Sequence, residues 1–416
     1  MKTLTGKMFL IAFVIFNIFT LNDVYTGQIL GTPSPLIRQI NNTRPNSGSR
    51  ITHRQRTRRT FTIGDNIMPV QKQGLRLSQK FYRGIYLHCG TGKNIKKIRY
   101  FIKKAKENGI NCFVIDVSPY ANMTPVINPQ AVKECIDNGI YPIARIVAFQ
   151  DGLKTLNISN DYIDRMLKLV DTSVKAGFKE LQLDYIRFAD KRLAIPLRKK
   201  FDFIKNLLKK VKERINNPNI PLATDVFGRI VYNTEDIIGQ QLEEMATYAD
   251  VICPMVYPSH YYPDYYKMSN PYFTVKQSTL KGLNRIGNKT YIMPYIQAFK
   301  MHVRYARMNL DRYILEQVKA VEETAARGYI IWNALNNYEL SFKVLKEYYT
   351  KNPNKLSDNP SGYNGKVNSV SQKASGNPIS TGTHNEITSN SSSSLANVPS
   401  SENNRNRYIF RNNSSN

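Results

Sequence analysis

Short apolar runs recur along the central part of the chain, and most are followed by a segment with apolar positions at helical spacing. Eight runs are typical of buried β-strands, and their starts lie roughly 30 to 40 residues apart. They cover residues 84–88, 112–117, 142–147, 181–188, 222–227, 251–257, 291–298 and 329–332. This alternation predicts eight successive strand–helix units.

The segments between the runs combine one apolar stripe with a charged outer face. The segment after the fourth run carries the stripe Leu197, Phe201, Ile204, Leu208, Val211 and Ile215. Eight strand–helix units between residues 81 and 348 match the (β/α)8 fold, which usually needs about 250 residues. We therefore predict an α/β protein whose central domain is a (β/α)8 TIM barrel.

An open doubly wound sheet is the structural alternative. That fold favours a glycine-rich phosphate-binding turn after its first strand. The segment found there, Gly90-Thr91-Gly92-Lys93, lacks the third glycine of a dinucleotide-binding fingerprint and the spacing of a P-loop. We interpret it as an ordinary turn, which favours the barrel.

The N-terminal 26 residues have the pattern of an export signal. Lys2 and Lys7 precede an apolar run at residues 8–16, which continues at residues 18–21. The run is short for a membrane-spanning helix, which needs about 20 residues. We predict a signal peptide or an uncleaved N-terminal anchor at residues 1–26. The remainder of the protein would then be periplasmic, extracellular or anchored to the membrane.

Two polar segments flank the predicted barrel. Residues 27–80 include five arginines within ten positions, Arg50, Arg54, Arg56, Arg58 and Arg59, and are interpreted as a basic flexible linker. Residues 349–416 are rich in Asn and Ser and poor in apolar residues. We expect this tail to be disordered because it buries too little apolar surface to offset its ordering entropy.

The 416 residues are 41% hydrophobic and carry a formal net charge of +28. The excess of basic over acidic residues is +10 in residues 1–80, +14 in residues 81–348 and +4 beyond them. Many lysines of the central part lie on the outer faces of the predicted helices. The charge therefore favours attraction to an anionic envelope polymer or lipid surface through the linker. Nucleic acid is not predicted as a partner, because no base-reading helix or RNA-binding motif is present.

Polar and aromatic residues follow most of the predicted strands. In a barrel, chemistry takes place at the C-terminal ends of the strands, so these residues are expected to converge on one face. The candidates are Asp116, Arg145, Asp184, Arg187, Asp225, Tyr257, His260, Gln297, Trp332 and Asn333. Carboxylates with aromatic walls are the groups that glycosidic bond cleavage requires, one as the acid and one as the nucleophile or base.

Each aspartate taken alone also has a structural interpretation, as a helix N-cap or as the partner of an arginine. That interpretation weakens for Asp116, Asp184 and Asp225 together. Three apolar strands that each carry a buried aspartate would have to offset the cost of desolvation three times.

Several strings in this part of the chain are specific to one family. They include GIYPIARIV at 139–147, LQLDYIRF at 181–188, TDVFG at 224–228, PMVYPSHY at 254–261 and WNA at 332–334. In this order they resemble the putative glycosyl hydrolase domain family, domain of unknown function 4015, from Arg83 to Tyr338. The resemblance implies a TIM-barrel relative of glycoside hydrolases. The chain departs from the family after Asp151, where a short segment at 153–160 replaces a longer polar insertion.

By analogy with the fold, Asp184 and Asp225 occupy the strand ends where many barrel glycosidases place their two carboxylates. We assign Asp184 as the nucleophile or base and Asp225 as the general acid. The other candidates are expected to bind or orient a polysaccharide substrate, with Arg145 and Arg187 as clamps. Trp332 is interpreted either as a sugar platform or as core filling. The shorter third loop implies an open groove or a trimmed subsite.

Other chemistries have less support in the sequence. Cys89, Cys112, Cys135 and Cys253 lack the spacing of metal ligands and are interpreted as buried free thiols. His88 and His260 could join aspartates around a metal, but no histidine spacing supports this. We therefore predict no metal and no cofactor.

Two further functions from other classes remain open at this level. One is a non-catalytic glycan-binding or envelope-structural barrel that keeps the pocket. The other is a polyanion-binding surface protein that acts through the basic linker. Turnover of a glycan distinguishes the enzyme from the first, and polyanion binding without residues 27–80 argues against the second.

The predicted boundaries can be tested by limited proteolysis. All eight strand–helix units lie within residues 81–348, so we expect a protease to trim both ends and leave a resistant core of about that length. Mass spectrometry of the core would identify its termini. Early cleavage between Arg83 and Tyr338 that spares residues 27–80 would contradict the assignment.

Overall fold

The computed structural model describes residues 80–119 and 123–361. The predictions for the signal or anchor, for nearly all of the basic linker and for most of the C-terminal tail lie outside these residues. The described structure continues past residue 348, because the last helix spans Glu339–Lys351 and a 3-10 turn follows at Pro353–Leu356.

Parallel strands form a closed barrel. In chain order they are β1 (Tyr82–Leu87), β2 (Cys112–Asp116), β3 (Tyr141–Val147), β4 (Glu180–Asp184), β5 (Leu222–Phe227), β6 (Val251–Met255), β7 (Tyr291–Ile292), β8 (Tyr295–Gln297) and β9 (Gly328–Trp332). The order β5-β4-β3-β2-β1-β9-β8-β6-β7 is closed by an additional pairing of β5 with β6. The predicted (β/α)8 TIM barrel is thus confirmed.

The seventh strand of the barrel is divided into β7 and β8. Both segments pair with β6, and they are separated by Met293 and Pro294. Proline has no backbone N–H to donate to a strand ladder, so the interruption agrees with the residue found there. The continuous run predicted at 291–298 therefore forms one strand of the barrel in two short pieces.

Helices surround the barrel on its outside. Those of eight or more residues span Ile95–Glu107, Pro129–Asp137, Asn160–Lys175, Leu197–Ile215, Pro271–Ile286, Leu310–Glu322 and Glu339–Lys351. The side chains of Asn94, Asn128 and Ser159 cap three of them at the N-terminus by accepting backbone N–H groups. Among the described residues, no helix is both long and apolar enough to cross a membrane.

Strand alternation divides the core into two apolar clusters. Outward-facing strand residues such as Phe113, Ile115 and Leu183 pack against the helices. Inward-facing residues such as Val114 and Ile143 fill the barrel. Side chains alternate along a strand. Two positions after an inward-facing residue of β2 to β5, an aspartate or the arginine therefore also faces inward, at or near the C-terminal end of each strand.

The four cysteines agree with the prediction of buried free thiols. All four are buried and unpaired. Cys253 faces the barrel interior, where its sulfur accepts a hydrogen bond from Gln182 Nε2 at 3.1 Å. Gln182 Oε1 in turn accepts a hydrogen bond from the hydroxyl of Tyr295 at 2.7 Å. A polar chain therefore crosses the middle of the barrel.

A buried ion pair closes the N-terminal end of the barrel. Arg327 Nη1 lies 2.6 Å from Glu180 Oε2, and their side chains are 3% and 0% exposed. The guanidinium also lies over the ring of Tyr82, 4.6 Å from its centroid, and the hydroxyl of Tyr141 donates to Glu180. Burial raises the pKa of Glu180, although Arg327 opposes the shift. The pair lies at the end of the barrel opposite to the strand-end aspartates.

The two halves of this pair should respond differently to mutation. Glu180→Gln leaves a buried guanidinium that cannot lose its proton, so we expect a loss of about 3–5 kcal/mol in the free energy of unfolding. Arg327→Met leaves a carboxyl group that can protonate, and its loss should be smaller and should shrink at acidic pH. The sign follows from linkage. When the pKa of a carboxyl group is higher in the folded than in the unfolded protein, the group lowers stability only at pH values above its unfolded pKa.

Urea denaturation at several pH values would measure both variants. Asp137→Asn, which removes the exposed pair of Lys133 with Asp137, serves as the control and should change stability by less than about 1 kcal/mol. Equal losses for Glu180→Gln and Arg327→Met at every pH would contradict the asymmetry.

Candidate active site

One buried arginine lies among three aspartates at the C-terminal end of the barrel. The guanidinium of Arg145 donates one hydrogen bond to Asp116 and another to Asp184. Its Nε lies 3.6 Å from Oδ2 of Asp225, which is ion-pair distance but too long for a hydrogen bond. All four side chains are at most 3% exposed. If all were ionised, one positive charge would face three negative charges.

Strand register explains why these groups meet. Asp116 of β2 is paired directly with Arg145 of β3, and the inward alternation of both strands turns the two side chains to the same side. Asp184 ends β4, and Asp225 lies in β5, whose neighbour is β4. Four consecutive strands therefore each contribute one charged residue. The convergence predicted for these four residues is present.

Aromatic rings lie against the guanidinium. Tyr86 and Trp332 stack with ring centroids 3.9 Å apart, and the guanidinium carbon of Arg145 lies 5.3 and 5.1 Å from their centroids. The hydroxyl of Tyr86 also donates to Asp116. Trp332 therefore packs against the charged centre and also lines the cavity above it.

The backbone after β4 turns back toward the carboxylate of Asp184. Tyr185 adopts a left-handed conformation with φ of 53°, which is costly for a residue with a side chain. Its backbone N–H donates to Asp184 Oδ1 at 2.5 Å. Both oxygens of Asp184 thus accept a hydrogen bond, one from Tyr185 and one from Arg145, which fixes the orientation of the carboxylate.

Asp225 lies in the opposite environment. Neither carboxylate oxygen has a hydrogen-bond partner among the described residues. Burial, followed by the nearby charge of Asp184, raises the pKa of Asp225 well above its usual value. Burial also raises the pKa of Asp116, but the guanidinium and the Tyr86 hydroxyl counteract part of that shift. The excess negative charge is therefore relieved most readily by a proton on Asp225.

A cavity of about 300 Å³ opens above this charged centre. Six of the sequence-predicted site residues line it: Arg145, Asp184, Asp225, Tyr257, His260 and Trp332. The hydroxyl of Tyr257 stays protonated over the ordinary pH range, because burial raises its pKa well above the usual value. The cavity thus combines two carboxyl groups, a cation and aromatic faces.

Four other predicted residues lie outside the lining of this cavity. Asp116 is beneath it, behind Arg145. Arg187 donates to the carbonyl groups of Phe188 and Gln150 and so holds the loop after β4.

The remaining two residues organise loops. Gln297 accepts a hydrogen bond from Ser259 N at 3.2 Å and donates to two carbonyl groups of the following loop. Asn333 Oδ1 accepts the backbone N–H groups of Leu335 and Asn337. Their polar atoms are used within the protein, so they shape the rim of the barrel.

Further lining residues were not among the predicted ones. They are Tyr185, Phe227, Arg229, Met255, Tyr261 and Tyr295. Five of them lie in or beside the runs that supplied the candidates, and for the four aromatic residues the aromatic character was the available signal. Arg229 had no comparable signal in the sequence. It lies at the rim because a 3-10 turn at Gly228–Val231 follows β5.

Close packing at Gly228 shapes one wall of the cavity. A Cβ atom added there would lie 2.4 Å from the carbonyl oxygen of Met255 and 2.8 Å from the Tyr261 hydroxyl. That hydroxyl donates to the carbonyl group of Gly228 at 3.2 Å. The absence of a side chain at this position allows the loops after β5 and β6 to approach each other.

The described residues offer no evident metal site. No group of three or more His, Cys, Asp or Glu side chains within them is arranged to hold a metal ion. His88, one member of the alternative histidine pair, is the N-cap of the short helix Cys89–Gly92, and its Nδ1 accepts from Gly90 N at 3.1 Å.

One comparison with known protein families identifies a related domain. The model of a family described as "Putative glycosyl hydrolase domain", domain of unknown function 4015, matches residues 157–338. No curated protein sequence matches the chain significantly.

Solved structures similar to this chain include three enzymes or enzyme domains. The glycoside hydrolase domain of PgaB (BpsB) from Bordetella bronchiseptica is 10% identical with a TM-score of 0.48, over 64% of this chain and 98% of that chain. The endo-β-1,4-mannanase from Thermotoga petrophila is 12% identical with a TM-score of 0.49, over 68% and 78%. The spore cortex-lytic enzyme SleL from Bacillus megaterium QM B1551 is 13% identical with a TM-score of 0.46, over 64% and 74%.

The resemblance noted in the sequence is therefore confirmed over residues 157–338, a segment that contains β4 to β9 and both Asp184 and Asp225. Over these residues the chain is similar to the putative glycosyl hydrolase domain family.

Proposed function

We propose that this protein hydrolyses glycosidic bonds in a polysaccharide, with Asp184 and Asp225 as its two catalytic carboxyl groups. One observation carries the proposal. The two groups line the same cavity from neighbouring strands, but Asp184 is fixed by two hydrogen bonds whereas Asp225 has no hydrogen-bond partner among the described residues. Pairs of carboxyl groups in opposite environments are typical of acid and base assignments.

Asp225 is suited to the role of general acid. A general acid must hold a proton at the working pH and give it to the leaving oxygen. Burial and Asp184 raise the pKa of Asp225 well above the usual value, which favours its protonated form. Because its oxygens make no hydrogen bond to described residues, the proton can be directed toward a bound sugar.

Asp184 is suited to the complementary role. The hydrogen bonds from Arg145 and Tyr185 N orient its carboxylate and balance its charge. In that state it can attack the anomeric carbon or accept a proton from water, which are the two roles open to the second carboxylate. Arg145 keeps its charge in either case and would stabilise the changing charge on both aspartates.

Aromatic residues supply the remaining requirement for a sugar site. Tyr257 and Trp332, together with Tyr185, Phe227 and Tyr295, line the cavity. Flat apolar rings with polar edges fit the C–H faces and hydroxyl groups of sugars.

We also propose that the substrate belongs to the cell envelope or its surroundings. The support is the apolar run at residues 8–16 after Lys2 and Lys7, which has the pattern of an export signal. An exported barrel would meet envelope and extracellular polysaccharides, whether it is released or stays anchored.

Asparagine variants test the catalytic assignment. We expect Asp184→Asn and Asp225→Asn to lower hydrolysis by at least ~100-fold, because each keeps the side-chain volume but removes the ionisable group. A carbohydrate-array screen of the wild-type protein, followed by product analysis, identifies the substrate for the assay. Melting temperature is measured on the same samples.

Asp250→Asn is the matched control. Asp250 is a nearly buried aspartate at the other end of the barrel, where it pairs with Lys212 and accepts Leu222 N. Its replacement should lower the melting temperature and leave turnover per folded molecule nearly unchanged. Wild-type turnover by a folded Asp184→Asn variant would refute the assignment, as would glycan binding without any turnover by the wild-type protein.

The pH dependence provides an independent test. A general acid works only when protonated, so kcat/KM should fall as pH rises through the pKa of Asp225. That pKa is raised, which places the fall above the usual range of an aspartate. In Asp225→Asn the residual activity should lose this alkaline limb. An alkaline limb that persists unchanged in the variant would assign it to another group.

A further inference from the structure

An aromatic and basic surface adjoins the rim of the cavity. It consists of Tyr262, Tyr265, His302 and Tyr305, with Lys300, Arg304 and Arg307 on the same loop as the last two. We call it the tyrosine–arginine platform. Tyr262 and Tyr265 are 51% and 55% exposed, and contiguous exposed patches of this kind can mark binding sites.

The platform is built from rings in mutual contact. The centroids of Tyr262 and His302 are 5.8 Å apart, and those of Tyr265 and Tyr305 are 5.4 Å apart. His302 also contacts Tyr305 at 5.7 Å, and Tyr262 contacts Tyr265 at 6.2 Å. Four rings from two separate loops thus form a closed circuit at the surface, so their positions depend on one another.

The platform is continuous with the cavity. His260, which lines the cavity, lies 6.0 Å from the ring of Phe299 and 5.1 Å from that of Tyr257. One residue earlier, the carbonyl oxygen of Ser259 lies 3.2 Å from Nδ1 of His302. Tyr261 also lines the cavity and directly precedes Tyr262, so the platform lies beside the cavity, where a longer polymer would extend.

The platform carries three cations that have no ion-pair partner among the described residues, and its one acidic residue, Asp264, is paired with Lys267. Residues 299–309 contain Lys300, Arg304 and Arg307 but no acidic residue. None of the three cations forms an ion pair with any residue between 80 and 361 that the structure describes, and the guanidinium of Arg304 instead lies over the ring of Tyr305 at 5.2 Å. By contrast, Arg229 at the rim is paired with Asp190 and Asp236.

From this arrangement, and resting on the proposed hydrolase function, we infer that the substrate is an acidic polysaccharide. The platform would bind its sugar rings on the tyrosines and its anionic groups on Arg304, Arg307 and Lys300. Basic and aromatic surfaces also suit single-stranded nucleic acid. The cavity favours the glycan, because two carboxyl groups with aromatic walls are the arrangement that glycosidic bond cleavage requires.

Retention in affinity gels tests the inference on the full-length protein. The probes are carboxymethylcellulose against neutral hydroxyethylcellulose, and polygalacturonate against its neutral methyl ester. The background protein carries glutamine at the five linker arginines, which removes their own attraction to polyanions: Arg50, Arg54, Arg56, Arg58 and Arg59. We expect at least one acidic probe to retard it more than the matched neutral probe.

Two double variants then locate the binding site. Arg304→Gln with Arg307→Gln, and separately Tyr265→Ala with Tyr305→Ala, should each weaken the retention by at least ~10-fold. The first pair should have little effect on any retention by neutral probes.

Matched controls remove the same groups elsewhere. Lys103→Gln with Lys106→Gln removes two exposed cations from an outer helix. Tyr266→Ala removes a 60% exposed ring that contacts Phe273 and lies outside the circuit. Each should change the retention less than about twofold.

Three results would overturn the inference. They are equal retention by acidic and neutral probes, retention unchanged in both double variants, and oligothymidylate binding that depends on the same residues while acidic glycan binding does not. Retention requires no turnover. A protein that binds acidic glycans through the platform but never cleaves them would therefore overturn the proposed hydrolysis alone.

Discussion

The contacts of the Arg145 guanidinium with three aspartates stabilise the C-terminal end of the barrel. Without this guanidinium, Asp116, Asp184 and Asp225 would place three carboxyl groups in a nearly dry space, at a cost of several kcal/mol for each ion. The two hydrogen bonds and one longer ion contact of Arg145 offset only part of that cost. Burial, followed by the charge of Asp184, raises the pKa of Asp225, and an arginine shared among three partners offsets only part of that shift.

This arrangement is the upper level of a polar column inside the barrel. Strand β4 contributes one inward side chain to each level: Glu180 at the bottom, Gln182 in the middle and Asp184 at the top. Most barrel interiors are filled by branched apolar residues. Here each polar side chain of β4 is held by hydrogen-bonding partners on other strands. These contacts help to fix the relative positions of the strands beneath the cavity.

Much of this architecture could be predicted from the sequence, because strand and helix periodicities depend on local pattern. The eight runs, the barrel and the convergence of Arg145 with the three aspartates follow from alternation and from the rule for strand ends. The division of the seventh strand at Pro294 was not predicted, although proline provided a signal.

The roles of individual polar residues were harder to predict. Gln297 and Asn333 share the sequence signature of site residues, yet their side chains hold loops. Whether a strand-end side chain turns to the cavity or to its own loop depends on tertiary hydrogen bonds, which a linear pattern does not contain. The same holds for Arg229 and for the oxygens of Asp225, which have no hydrogen-bond partner in the part of the chain that the structure describes.

The ion pair of Glu180 with Arg327 limits which substitutions this chain can accept. The two residues are 147 positions apart in sequence and stabilise each other only as a pair, so substitutions at the two positions should be inherited together. If the pair is lost in evolution, only one order of the two substitutions is favourable. The arginine can change first, since a buried glutamic acid can remain neutral. Loss of the glutamate first would leave a permanent buried charge in the barrel.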